Sequence, residues 1–115
     1  MTDAGCLFCR IVAGEIPATV VLETDDVLAF RDIAPAAPTH VVVVPKAHHQ
    51  DVVALTAADP ELAATVLAAG TAVAASEGLG DGFRLVFNTG EHGGQTVFHV
   101  HLHVLGGRHM GWPPG

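Results

Sequence analysis

The chain has 115 residues and a mass of 11.8 kDa, enough for one domain with a core and too little for two. Half of its residues are apolar and 15% are charged, which excludes a disordered tail or linker protein. A net charge of −7, with only five Lys or Arg along the chain, argues against a nucleic-acid polymer as partner, because a phosphate backbone is gripped by clustered positive charge.

A single nucleotide remains open, since a few backbone N–H groups and imidazoles can hold one phosphate. The acidic start, Met1-Thr2-Asp3-Ala4-Gly5-Cys6, lacks the basic residues and apolar run of a secretory leader. No stretch approaches the roughly 18 to 20 apolar residues of a membrane span. These features predict a cytoplasmic protein with no membrane partner, whose two cysteines are thiols or metal ligands rather than a disulfide.

In chain order, residues 7–13 are compatible with a short helix closed by Gly14. Residues 19–23 and 27–32 read as strands joined by Thr24-Asp25-Asp26. Pro35 and Pro38 then break regular structure. The valine run from His40 to Pro45 has the composition of a strand buried on both faces. A long helix is predicted with Asp59 as N-cap, Pro60 at its first position and Gly78 past its end. Its alanines and Gly70 imply a close approach to another surface, because Gly70 would otherwise cost about 1 kcal/mol relative to alanine. Residues 83–88 and 97–105 complete the strands, with the glycine-rich turn 89–94 between them. The pattern predicts an α+β fold: an antiparallel sheet of about five strands with one long and one short helix, residues 1–115 forming a single domain.

The last strand carries the chemistry. In an extended segment His99, His101 and His103 share one side, while Val100, Leu102 and Val104 enter the core. Three imidazoles in strict alternation, out of eight in the chain, are improbable on a merely solvated face. Two readings remain at this level. In one, His99 and His101 join a third ligand on a catalytic zinc. Three residues along a straight strand span about 13 Å and cannot easily reach one tetrahedral ion. In the other, a neutral imidazole is a nucleophile toward phosphorus, with a backbone carbonyl fixing its tautomer and neighbouring donors holding the phosphoryl oxygens.

His99-Val100-His101-Leu102-His103-Val104-Leu105 resembles the His-φ-His-φ-His-φ-φ signature of the histidine triad (HIT) superfamily. The agreement extends to Asp32-Ile33, Pro38-Thr39-His40, Pro45-Lys46, Asn88, Gly93-Gly94-Gln95-Thr96, Gly106-Gly107-Arg108 and Trp112-Pro113-Pro114-Gly115. Together they resemble the Hint branch along nearly the whole chain.

The resemblance implies a hydrolase of purine nucleoside 5′-phosphoramidates or related nucleotidyl substrates, with His101 carrying a covalent nucleotidyl intermediate. By the same resemblance the His99 carbonyl orients the His101 ring, and His103, Gln95 and Thr96 donate to the α-phosphate. The family has Ser at the position of Thr96. His40 supports the nucleophile, Asp32 accepts from the ribose hydroxyls, and Phe8, Ile11, Phe30 and Ile33 flank the base. Asn88 contacts the ribose-phosphate side, and Gly94 belongs to the phosphate loop. The resemblance also implies a homodimer with sheets joined edge to edge into one continuous sheet and long helices packed together.

Cys6-Leu7-Phe8-Cys9 is weak evidence alone. In bacterial histidine triad proteins such a pair often forms half of a structural zinc site, and the resemblance then assigns Cys6, Cys9, His48 and His99 as ligands. Besides the phosphoramidase, a zinc-dependent hydrolase on His99 and His101 and a nucleotide-binding regulatory module with incidental catalysis remain as alternatives.

Overall fold

The computed structural model describes residues 5–115; the acidic start, Met1 to Ala4, lies outside the described residues. Five strands form one antiparallel sheet: β1 (Val20–Glu23), β2 (Val27–Arg31), β3 (Thr39–Pro45), β4 (Phe83–Phe87) and β5 (Leu102–Gly106), in the spatial order β1-β2-β3-β5-β4. The helices are α1 (Leu7–Val12), α2 (Val52–Ala58) and α3 (Pro60–Ser76).

Local chemistry explains the boundaries. Thr24 closes the β1–β2 turn, its hydroxyl accepting from the Asp26 and Val27 amides at 3.2 and 3.1 Å. Asp59 caps α3 by accepting from the Leu62 amide at 3.1 Å, with Pro60 at the first helical position. α2 was not anticipated. Its Asp51 cap is sound, accepting from Ala54 at 2.8 Å, but seven residues containing Val52, Val53 and Thr56 carry little helical signal. Docking of fully buried Leu55 supplies what propensity does not.

The sheet has two unlike faces. Against one lie α2 and α3, enclosing Val41, Val43, Leu102 and Val104 with Leu55, Val66 and Val73. Each such aliphatic side chain contributes about 1.5–3 kcal/mol when fully buried. Gly70 has its close neighbour here: a Cβ at this position would stand 2.6 Å from a methyl of Leu102. The glycine therefore serves packing of α3 on the chain's own sheet. On the other face, α1 covers only Leu28, Phe30, Val42 and Val44 with Phe8, Cys6 and Cys9. The rest of that face is open to function. Among the described residues no helix is long and apolar enough to cross a membrane.

Candidate active site

The expected strand over residues 97–105 is shorter and shifted, pairing only from Leu102 to Gly106. Val97, Phe98 and His99 form a bend, and the Val100 amide donates instead to the His49 carbonyl at 2.8 Å. The inward alternation survives, with Val100, Leu102 and Val104 in the main core. His99 and His101 both pack edge-on against Phe8, with ring centroids at 6.0 and 5.0 Å, and His101 lies 4.9 Å from His103. The bend turns His99 toward a different set of partners from those of its two neighbours.

Each ring's proton follows from its fixed partner. A carbonyl only accepts, so the His99 carbonyl 2.8 Å from His101 Nδ1 holds the proton there and leaves Nε2 with its lone pair. His40 Nδ1 accepts from the Ala36 amide at 3.0 Å, which puts the His40 proton on Nε2. From there it faces His103 Nδ1 at 2.8 Å and the Asp32 carboxylate at 3.4 Å. His103 therefore accepts through Nδ1 and presents Nε2–H as a donor. A chain from Ala36 through His40 thus leaves His103 with an Nε2–H donor, while His101 keeps an unprotonated Nε2.

Burial keeps these rings neutral. It lowers His101 despite the favourable His99 carbonyl, lowers His40 against the pull of Asp32, and takes His103 down to about 4. An ordinary unfolded imidazole titrates near 6.5, so the unfolded state binds more protons as pH falls below that value. Stability is accordingly lost between about pH 6.5 and pH 4, and the loss levels off below. For His103 alone the loss from pH 7 to pH 5 is about 1–2 kcal/mol. Urea denaturation at the two pH values measures it, and equal midpoints and slopes would refute it.

Two cavities meet at His103. The first, of about 280 Å³, is lined by Phe8, Ile11, Phe30, Asp32, Ile33 and Thr96 together with His101 and His103. Phe8 and Phe30 are buried edge to face, their centroids 5.6 Å apart, whereas Ile33 is fully exposed. Ile16, Pro17 and Ala18 also line this cavity; nothing in their sequence distinguished them from an ordinary connection. The second, of about 350 Å³, contains Asn88 with His40 and His103, so Asn88 stands on the far side of His103 from the apolar cavity.

The turn 89–94 closes on itself. Asn88 donates to the Gly93 carbonyl at 2.8 Å, and a Cβ at Gly93 would collide with the Thr89 carbonyl. Gly94 adopts a left-handed φ of 84°. Gln95 is buried with both ends of its amide engaged: it accepts from Gly90 at 2.9 Å and donates to the Gln50 and Val97 carbonyls at 2.8 and 3.1 Å. In this arrangement Gln95 braces the loop, and Thr96 remains exposed at the cavity rim.

A separate cluster lies behind His99. Its Nε2 donates to the Pro45 carbonyl at 2.8 Å, so the Nδ1 lone pair points at Cys6 Sγ (3.3 Å), Cys9 Sγ (3.5 Å) and His48 Nδ1 (3.2 Å). Cys9 Sγ is 3.4 Å from His48 Nδ1, and all four donor atoms lie within 4.8 Å of one another. A tetrahedral zinc with Zn–S of about 2.3 Å and Zn–N of about 2.0–2.1 Å separates neighbouring ligand atoms by about 3.3–3.7 Å. The donor set fits that ion in kind and spacing. The other converging group among the described residues is Asp32, His40 and His103; His101 belongs to neither group.

The HIT domain family matches residues 13–110 of the chain. A 14 kDa zinc-binding protein of Zea mays is 46% identical over 118 residues, covering 100% of this chain and 91% of that protein. An adenylylsulfatase of Arabidopsis thaliana is 44% identical over 117 residues, covering 99% of this chain and 79% of that protein. The crystal structure of a HIT family hydrolase from Legionella pneumophila superposes with a TM-score of 0.92 at 54% identity, covering 96% of this chain and 99% of the other.

Proposed function

The chain belongs to the HIT family, and from that membership and the geometry of its imidazoles we propose that it hydrolyses purine nucleoside 5′-phosphoramidates or related nucleotidyl substrates through a covalent intermediate on His101. The observation that carries the reading is the opposed tautomers of adjacent rings: His101 with a free Nε2 lone pair, His103 with an Nε2–H donor. The apolar cavity lined by Phe8 and Phe30 takes the nucleoside, and Asp32 in its lining accepts from the ribose hydroxyls. Asp32 already accepts from the Ala34 amide at 2.8 Å through one oxygen, which holds the carboxylate in place.

In the first step His101 Nε2 forms a bond to the α-phosphorus and the P–N bond to the leaving amine breaks. The electron pair goes to the departing nitrogen, which takes a proton from solvent. In the second step water adds to phosphorus and gives up a proton, while the electron pair of the His101–P bond returns to Nε2. One water is consumed, and a nucleoside monophosphate and an amine are released. His103 Nε2–H steadies charge on the phosphoryl oxygens, together with the Thr96 hydroxyl at the rim. Acid quenching during turnover is expected to add the mass of one nucleoside monophosphate, located at His101 by peptide mapping. An unmodified His101 peptide throughout the pre-steady state would exclude the intermediate.

Cys6, Cys9, His48 and His99 would hold zinc with all four positions filled, so the ion's contribution is structural. Among the described residues the edge strand β4 has no strand on its outer side. Phe83 on β4 and Leu67 on α3 are both exposed. These features support a homodimer that continues the sheet through β4. Light scattering is expected to return twice the 11.8 kDa of one chain; a monomeric mass at micromolar concentration would refute it.

A further inference from the structure

The second cavity beside His103 has an electrostatic character unlike the rest of the molecule. The chain has five Lys or Arg. Three are neutralised by glutamates: Arg10 with Glu15, Arg31 with Glu77 and Lys46 with Glu23. Arg84 and Arg108 have no carboxylate partner among the described residues, and both line this cavity. No described acidic residue lines it, in a protein of net charge −7. The two guanidiniums are held by carbonyls instead, Arg84 by Gly111 at 2.6 Å and Arg108 by Ala36 and His109 at 3.3 and 3.2 Å. Each keeps further N–H donors beyond those bonds.

The sheet register places this charge relative to the reacting atoms. Val86 is opposite His103, and Arg84 is opposite Leu105, on strands β4 and β5. Arg84 is thus the diagonal neighbour of His103 on the same face, with backbones about 7–8 Å apart, within reach of an arginine side chain. His103 lines both cavities. With the nucleoside in the apolar cavity and phosphorus at His101 and His103, the group leaving phosphorus extends past His103 into the cavity of Arg84 and Arg108.

We propose that Arg84 and Arg108 form a leaving-group subsite selecting nucleotidyl substrates whose leaving group carries its own oxyanion, a carboxylate or a sulfate, one or a few bonds beyond the atom bound to phosphorus. This rests on the hydrolase reading above. It assigns specificity for the departing group to the face of β4, away from the nucleoside contacts. Arginine stays charged at every working pH and matches both oxyanions with paired donors.

The test compares near-isosteric substrates: the adenosine 5′-phosphoramidate of β-alanine, that of β-alaninamide, and adenosine 5′-phosphosulfate as a separate arm. The wild-type protein is expected to favour the carboxylate over the carboxamide in kcat/KM by about tenfold or more. Arg84→Gln and Arg108→Gln should each shrink that ratio at least about fivefold, and Arg84→Lys should restore part of it. Because the readout is a ratio within one protein sample, a lower folded fraction cancels. A matching loss with the phosphosulfate extends the subsite to sulfate; retention there confines it to carboxylates. An unchanged ratio in both glutamine variants overturns the subsite and leaves the hydrolase reading standing. Failure of the wild type to turn over any of the three removes the hydrolase reading and the subsite with it.

Discussion

Replacing His101 with asparagine is expected to lower kcat on the order of a thousandfold or more, with nucleoside monophosphate binding changed only a few-fold. An amide has no free nitrogen lone pair to offer phosphorus, so no nucleotidyl adduct forms. The binding groups of the proposed mechanism survive: Phe8, Phe30 and Asp32 still line the apolar cavity, and His103 keeps its donor because His40, not His101, sets its tautomer. Stopped-flow turnover with calorimetric binding separates the two effects. Activity within tenfold of wild type would mean that water attacks phosphorus directly and that His101 only binds. A His103→Gln variant should fall less, since an amide N–H can still donate to a phosphoryl oxygen. The expected order of loss therefore distinguishes a nucleophile beside a donor from a pair of equivalent donors.

The sequence made some of this site visible, and the reasons divide cleanly. Alternation of His with Val and Leu from residue 99 to 104 is a period-two signal, and the buried aliphatic half of it stands in the core as expected. What period could not show is where the ladder stops. The bend at Val97 to His99 depends on Val100 bonding to the His49 carbonyl, a contact between residues far apart in sequence. That bend resolves the difficulty of three imidazoles on one straight strand, because His99 turns to the cysteines while His101 and His103 stay together. The coupling of His40 to His103 spans 63 positions and arises from their strands lying side by side. The family resemblance implies Gln95 as a phosphate donor; its side-chain amide is buried and bonded to Gly90 and Gln50, contacts that no sequence pattern shows. Arg84 lies in no motif, and Arg108 enters only as the end of Gly106-Gly107-Arg108, with no role attached to its side chain. Their significance comes from the glutamates that neutralise every other cation and from the register that sets Arg84 beside His103. Pairwise geometry of distant residues was the missing information in each case.

The second large effect is expected from Cys9→Ser. The four donors behind His99 lie at ligand spacing, and the Pro45 carbonyl forces the His99 Nδ1 lone pair toward them. That lone pair faces His48 Nδ1 at 3.2 Å and the sulfurs of Cys6 and Cys9 at 3.3 and 3.5 Å, so four metal-ligating atoms turn toward one point. A zinc held there would tie α1, the segment after β3 and the bend at His99 into one unit, and through Phe8 would steady the wall against which His101 packs. Native protein is expected to hold about one zinc per chain and the variant less than about a tenth. Loss of the ion should cost on the order of 3 kcal/mol and lower Tm by 10 °C or more. On the proposed mechanism the chemistry does not run through the ion, so kcat measured well below the variant's Tm should fall far less than in His101→Asn, with the larger change in KM. Native protein that is free of zinc by elemental analysis, with a Tm unmoved by chelator, would rule out the metal. A zinc-loaded variant with unchanged Tm would show that Cys9 is not a ligand. A kcat loss as deep as that of His101→Asn would instead place the ion in the reaction itself, which the four candidate ligands and the separate partners of His101 argue against.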